Sequence, residues 1–391
     1  MGSVSGKIKM KKQKIALFHP WIKSKGGAEK VVLELLEKSK HNFELYTWAY
    51  DKENTFPEFQ KYKINVIVPK FGKKLARFHI LRGLFFPLSL FKKIPLEKYD
   101  KFLISTSGLA EFMTFRNYKK GKTYAYVHTP LREANKQIVK WNIEHRHKDN
   151  FLQKQIYLVA VKFYKIFEKK AWKKLDVVIF NSELSQSRAE EHNLLRKQKK
   201  HIIYPPIDFS RFERLKTKIG KHFVYISRLN PPKRQDILIE AWKKFSKNNK
   251  EYNLILIGTP DNKKYYQKLL DLSKGDKTIE IKSNISNKEF DKILSNAKAG
   301  IFLGYQEDFG IVPLEILASG KPLLAVDEGG YVKLIEGHPQ FHKIKEKHSR
   351  KEMISEITKE LENFIKKKQK KTTKKIKVKD FVKEIDEVLG G

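Results

Sequence analysis

With 391 residues, 40% of them hydrophobic, the chain is globular and long enough for two domains. It carries 82 Lys and Arg against 44 Asp and Glu, a formal charge of +38, which attracts polyanions but does not bear on fold. The absence of cysteine excludes disulfides, thiolate catalysis and Cys-based metal sites, and points to a reducing cytoplasm.

The leader MGSVSGKIKM lacks the apolar core of a signal peptide. No stretch approaches the ~20 apolar residues that span a bilayer. Beyond the leader, short β-branched and aromatic runs alternate with helical patterns, which is the signature of βαβ units in a parallel α/β sheet. The first series reads as strand KIALFHP, helix AEKVVLELLEKSK, strand FELYTWAY, then strands KINVIVP, DKFLISTS, TYAYVHTP, DVVIFNS and HIIYPP. The second opens at HFVYISRL and continues through helix RQDILIEAWKKFSK, strand YNLILIG, helix KKYYQKLLDLS, strand TIEIKS, helix NKEFDKILSNA, strand AGIFLG, helix VPLEILASG and strand PLLAV. Residues 366–379 hold nine lysines in fourteen and predict a solvated linker; an amphipathic helix, VKDFVKEIDEVL, follows and needs a surface to pack on. The boundaries expected are 11–207 for a first Rossmann-like domain, 208–372 for a second, and 373–391 for a terminal helix that returns to the first.

Ligands of open parallel sheets sit beyond the carboxyl ends of strands. Four such places carry polar groups. In HPWIKSKGGAEK, Gly26 and Gly27 open a helix; they permit either close approach of an anion to the backbone or simply a tight turn. In YAYVHTPLR, His128 follows a strand and can contact a substrate hydroxyl or be structural. In VYISRLNPPKRQD, Arg228 and Lys233 flank a helix start, a setting suited to a diphosphate, although a chance cationic pair is an alternative in so basic a chain.

The fourth place is LGYQEDFGIVPLEILASGKPLL. Pro313 suits a first helical turn, so Glu307 to Ile311 form the loop before it and Glu315 lies in that turn. The amides of Phe309, Gly310 and Ile311 then face the space that Glu307 borders. Both carboxylates can accept hydrogen bonds from sugar hydroxyls, or Glu315 can simply favour the helix macrodipole.

Together these motifs, EDFGIVPLE followed by GKP and GG with HTPLR upstream, resemble the family-4 retaining glycosyltransferases of the GT-B fold, over about Lys14 to Leu389. They are most similar to GDP-mannose-dependent mannosyltransferases. The resemblance implies two Rossmann-like domains facing a cleft, with the C-terminal helix crossing back to the first. It implies Arg228 and Lys233 on the donor diphosphate, Glu307 on the transferred sugar, and the amides of Phe309, Gly310, Ile311 and Val312 near sugar and phosphate. It further implies Glu315 on the ribose, residues around Asn284 at the base, Gly27 near phosphate or acceptor, and His128 beside the anomeric centre. The implied chemistry is retaining and metal-independent: the acceptor hydroxyl attacks on the face that the diphosphate vacates, and a phosphate oxygen takes the proton. No cofactor is implied beyond the donor, GDP-mannose, with a UDP-sugar as the alternative. Asp308 stands where the family more commonly has Gly.

The implied acceptor is a polyprenyl-linked or other surface glycan, handled by the first domain at the cytoplasmic face of a membrane. Residues 70–93, with seven basic residues, five phenylalanines and no acid, suit an interfacial helix on an anionic membrane or a core helix with its lysines outside. A second candidate, QIYLVAVKFYKIFEKKAWKKL, reads as an ordinary packed helix. A basic nucleic-acid-binding protein is the rival class, but no recognition helix, stacking platform or basic groove is evident. An inactive nucleotide-sugar-binding module is a third reading, disfavoured by the presence of Arg228, Lys233, Glu307 and Glu315.

Overall fold

The computed structural model describes residues 11–67, 92–130, 135, 139, 140, 142, 143, 150–367, 372 and 374–391. The leader, most of the basic aromatic segment 70–93 and part of the lysine-rich run 366–379 lie outside the described residues. The chain divides into two compact units, Met1–Pro206 with Lys379–Gly391, and Ile207–Val378.

The first unit is built on a parallel sheet of β1 (Lys14–Phe18), β2 (Asn42–Thr47), β3 (Ile64–Val66), β4 (Lys101–Thr106), β5 (Thr123–Val127), β6 (Val177–Phe180) and β7 (Lys199–Ile202), in the order β3-β2-β1-β4-β5-β6-β7. Alternation along β1 sends Ile15 and Leu17 to one face and Ala16 and Phe18 to the other. On the Ile15 face lies α1 (Gly27–Lys38), contributing Val31, Val32 and Leu35.

The C-terminal helix, α9 (Phe381–Gly390), completes that same core with Phe381, Ile385 and Leu389, as the family resemblance implies. Its capping residue Asp380 accepts from the Lys383 amide at 2.9 Å. Buried Asp386 accepts from the Ser39 hydroxyl and, at 2.9 Å, from the Lys40 amide. Lys101 Nζ donates to the Leu389 carbonyl at 2.7 Å. The helix is therefore held by charge-assisted bonds as well as by apolar area.

On the opposite face, α2 (Phe151–Trp172) buries Val161, Ala171 and Trp172, and Tyr164 stacks on Phe112 at 6.4 Å. The expectation that this helix is an ordinary packed one is only half right. Phe151, Leu152, Ile156, Val159, Phe163 and Ile166 are all exposed, because the 3.6-residue period that buries one side of a helix turns these away from it.

The second unit repeats the plan with β8 (His222–Ile226), β9 (Asn253–Ile257), β10 (Ile279–Lys282), β11 (Ala297–Phe302), β12 (Leu323–Val326) and β13 (Phe341–Ile344), in the order β10-β9-β8-β11-β12-β13, all parallel. Its helices include α4 (Gln235–Ser246), α5 (Lys263–Ser273), α6 (Asn287–Ser295) and α7 (Ile311–Ala318). A helix absent from the sequence reading, α8 (Arg350–Lys366), opens on a Ser349–Glu352 capping box and buries Met353, Ile354, Ile357, Leu361 and Phe364. Between α2 and β7 lies α3 (Glu183–Glu191), also unread from the sequence. In both sheets the strand order reverses beside the first strand, between β1 and β4 and between β8 and β11, where ligands of such sheets bind.

Candidate active site

In the second unit the loops leaving β8 and β11 meet at the reversal of strand order. The buried Tyr225 hydroxyl ties them together: it donates to the Lys233 carbonyl and accepts from the Leu303 amide at 3.2 Å. The Tyr305 amide adds a second tie to the Pro232 carbonyl at 2.8 Å. These bonds bring Lys233 and Glu307 side by side across 74 positions of sequence, and Lys233 Nζ donates to Glu307 Oε2. The ammonium also lies 5.6 Å from the centre of the Phe302 ring. The two side chains are 16% and 21% exposed, so the pair is half-buried but reachable.

Lys233 does not begin the next helix. It closes a short turn, Pro231–Lys233, and Arg234 then adopts a left-handed φ of 57° before α4 starts at Gln235. That unfavourable backbone is held by its side chain, which forms a fork with Glu346 at 2.7 and 2.7 Å and stacks 4.4 Å from the Tyr305 ring. Arg228, five residues before Lys233, is 70% exposed and lies 3.3 Å from the Asp261 carboxylate. The two cations expected at one diphosphate thus belong to one loop but engage different carboxylates.

Gly310, the residue before α7, has φ 86°, and a Cβ there would come within 2.6 Å of the Tyr331 ring. Gly329, at φ 136°, would meet the same ring at 2.5 Å, and the amide of Gly330 donates to the Glu307 carbonyl at 3.1 Å. The Phe-Gly and Gly-Gly motifs are therefore two halves of one junction closed over Tyr331. The helix begins at Ile311, two residues before Pro313, because Gly310 supplies the turn. Glu315 consequently lies two residues deeper than the sequence suggests, in the second turn, and the amides of Ile311 and Val312 open the helix beside buried Phe309.

This position removes the macrodipole explanation for Glu315. Burial pushes its carboxyl up to about 7, only partly offset by Arg211, whose guanidinium is bonded to Asp291 at 2.7 and 3.1 Å. No hydrogen-bond donor among the described residues reaches the Glu315 carboxylate. A half-buried carboxylate so placed costs stability unless a ligand satisfies it. Asn284 is exposed, in left-handed conformation at φ 56°, on the loop after β10, two strands out from β8. Its neighbour Lys282 is paired with Glu280 at 2.8 Å and Glu289 at 3.1 Å.

In the first unit, His128 follows β5 and takes part in a chain of hydrogen bonds. Its Nε2 lies 2.8 Å from Ser105 Oγ, which lies 3.0 Å from His19 Nδ1. His19 follows β1, and Ser105 belongs to β4 between them. Burial depresses both rings, His128 to about 3 with the help of neighbouring His19, and His19 to about 4, so both are neutral at pH 7. His19 was not among the residues picked out from sequence, although LFHP repeats the strand-then-His-and-Pro pattern of YVHTP.

Gly26 precedes α1 with an extended backbone, φ −95°, so a tight turn is not what requires a glycine. A Cβ there would lie 2.4 Å from Glu29 Oε2, and that buried carboxylate accepts from Ser24 Oγ at 2.8 Å. Glu29 folds back under the loop and clamps it, leaving Gly27 as the first helical residue. No group of three or more His, Asp or Glu among the described residues is arranged to hold a metal ion.

Two doubly wound parallel sheets, with a cation–carboxylate pair and a helix N-terminus at the strand reversal of the second, place charged groups where sheets of this plan bind their ligands. The family follows from comparison. Residues 25–211 match Glycosyltransferase Family 4 and residues 206–379 match Glycosyl transferases group 1, and the chain belongs to these glycosyltransferases of the GT-B fold. The alpha-1,3/1,6-mannosyltransferase ALG2 of Candida glabrata is 27% identical over 383 residues, covering 84% of this chain and 79% of that one. The GDP-Man:Man(3)GlcNAc(2)-PP-Dol alpha-1,2-mannosyltransferase of Xenopus laevis is 26% identical over 374 residues, covering 83% and 75%. Anabaena Alr3699/HepE in complex with UDP and glucose shares the fold with a TM-score of 0.60 at 18% identity, over 90% of this chain and 91% of that one.

Proposed function

We propose that this glycosyltransferase moves mannose from GDP-mannose to a lipid-linked glycan, with retention of anomeric configuration and with cationic side chains rather than a metal at the leaving diphosphate. The observation that carries the choice of sugar and acceptor is the similarity to mannosyltransferases across more than four fifths of the chain, one of which names a GDP-Man donor and a diphosphate-dolichol acceptor. The geometry of the second unit is consistent with a donor that joins an anion to a sugar.

In this reading Lys233 leaves its bond to Glu307 for the diphosphate, and Glu307 turns to the hydroxyls of the mannose. Breaking a half-buried pair is feasible when each partner gains a charged or multiply hydroxylated substitute. Arg228 adds a second positive charge, and the amides of Phe309 to Val312 meet phosphate or sugar oxygens at the start of α7. Glu315 accepts from the ribose hydroxyls, and the loop around Asn284 borders the base. Gly27 and His128 keep the roles that the family resemblance implies for them. No side-chain nucleophile is invoked: the acceptor hydroxyl attacks from the face the diphosphate leaves, and a phosphate oxygen accepts its proton. An acceptor on a polyprenyl lipid requires the enzyme to work at a bilayer surface, in peripheral association on the cytoplasmic side.

A thermal-shift panel of GDP-, UDP- and ADP-sugars tests the donor assignment, since a ligand that binds only the folded protein raises its stability with affinity. GDP-mannose is expected to give the largest rise. A larger rise with a UDP-sugar would overturn the base, and no rise with any of them would overturn the donor site.

A further inference from the structure

We infer that the outward face of α2 is an anionic-lipid docking surface. Leu152, Ile156, Val159, Phe163 and Ile166 follow one another at intervals of four and three, which places them within an arc of about 80° along roughly 21 Å of helix. Each is at least 48% exposed, and Leu152, Ile156 and Phe163 reach 60% or more. A contiguous stripe of large exposed apolar side chains marks an interaction surface on a soluble domain.

Charge chooses the occupant. Exposed Lys162 and Lys169 project along one flank of the stripe, and exposed Lys170 and Lys173 close its C-terminal end. The helix has a single acid, Glu168, and it is fully buried. A second copy of the helix would set lysine flanks against each other with no exposed carboxylate to pair with them, which costs stability. Anionic headgroups satisfy the lysines while the acyl boundary receives the stripe, which is the arrangement of an interfacial helix. No helix among the described residues is long and apolar enough to cross a membrane, so α2 lies on the surface. The opposite side is fixed to the unit through Val161, Ala171 and Trp172, so docking orients the whole first unit.

The inference rests on the proposed function only in supplying a reason for a bilayer. It is tested without donor or acceptor, so its failure leaves the transfer reading standing. The full chain is sedimented with vesicles of phosphatidylcholine alone and of phosphatidylcholine with phosphatidylglycerol at about one part in three. The expected result is binding that needs phosphatidylglycerol and weakens with salt. Ile156→Ser with Phe163→Ser should lower vesicle partitioning about tenfold or more with an unchanged Tm. Lys162→Glu with Lys169→Glu, changes at exposed positions, should abolish the preference for the anionic lipid.

Equal binding to both vesicles, or undiminished binding by the Ser variant, would overturn the proposal. So would a fall of several degrees in the Tm of the Ser variant, which would mean that the stripe packs within the chain. A dimer in solution that the Ser variant dissociates would assign the surface to a second copy instead.

Discussion

Glu315 is the residue whose chemistry depends most on its surroundings. Its unfolded carboxyl titrates near 4.5 and its folded one near 7. Stability associated with the neutral form is therefore fully present below about 4.5 and is lost as pH rises through 7. Glu315→Gln keeps shape and removes the charge, so without donor it should be more stable than the parent at pH 8, by about 2 to 3 kcal/mol, and no more stable at pH 4. Denaturant melts at the two pH values measure this; equal differences at both would show that Glu315 titrates normally. The same residue makes donor binding pH-dependent in the proposed reading, because ribose hydroxyls are held best by the carboxylate. The donor Kd should rise as pH falls below 7 and should do so less in Glu315→Gln, which isothermal titration would read directly.

The Lys233–Glu307 pair yields a sharper prediction at the same scale. Glu307→Ala should lower kcat by about two to three orders of magnitude with the fold retained, since the side chain is proposed to hold the reacting sugar. Lys233→Ala should raise the barrier by about 2 to 4 kcal/mol, through loss of the charge that meets the leaving diphosphate. Unchanged kcat/KM in the lysine variant, measured at saturating acceptor, would remove it from that role.

At the scale of elements, the hydroxyl of Tyr225 sets the distance between the two loops that carry this pair. Tyr225→Phe leaves the ring packed but frees the Lys233 carbonyl and the Leu303 amide, so it should cost about 1 to 3 kcal/mol. If the hydroxyl only fills space, a chemical denaturation curve will not move. The C-terminal helix makes an independent test: Ile385→Ala removes a fully buried side chain and should cost about 2 to 5 kcal/mol. A negligible loss would mean that α9 is not part of the core of the first unit.

The same elements show what was legible in the sequence. Buried parallel strands read as continuous apolar runs bounded by turn residues, which is why β1, β8 and β11 stand out. The helix α8 was missed despite apolar residues at 353, 354, 357, 361 and 364, because its many charges merge with the lysine-rich run that follows. For α2 the periodicity was visible, but periodicity cannot tell which apolar stripe has a partner; only the packed fold shows that one face is buried and another bare. Site residues beyond strand ends could be named locally. Their pairing could not, since Lys233 meets Glu307, and Ser105 meets two histidines, across separations fixed by strand order.

At the scale of the whole molecule, two units of the same doubly wound plan supply different chemistry at equivalent positions. The second presents charge, with a cation–carboxylate pair, an exposed arginine and an uncompensated carboxylate around one helix start. The first presents neutral imidazoles joined by a hydroxyl, a clamped glycine loop and a basic helix with a bare apolar stripe. Charged groups at the proposed donor site, and neutral imidazoles with a basic, apolar-striped helix in the other unit, suit the proposed transfer of a sugar from a nucleotide diphosphate to a lipid-linked glycan.

The most direct test of that account is mass-resolved transfer to a polyprenyl-diphosphate-linked glycan, with GDP-mannose and UDP-glucose offered in separate reactions to the full chain. The account predicts one added hexose from GDP-mannose, with the anomeric configuration of the donor, and a loss of about a hundredfold or more in Glu307→Ala. Addition from UDP-glucose alone, an inverted linkage, or no product from either donor would contradict it.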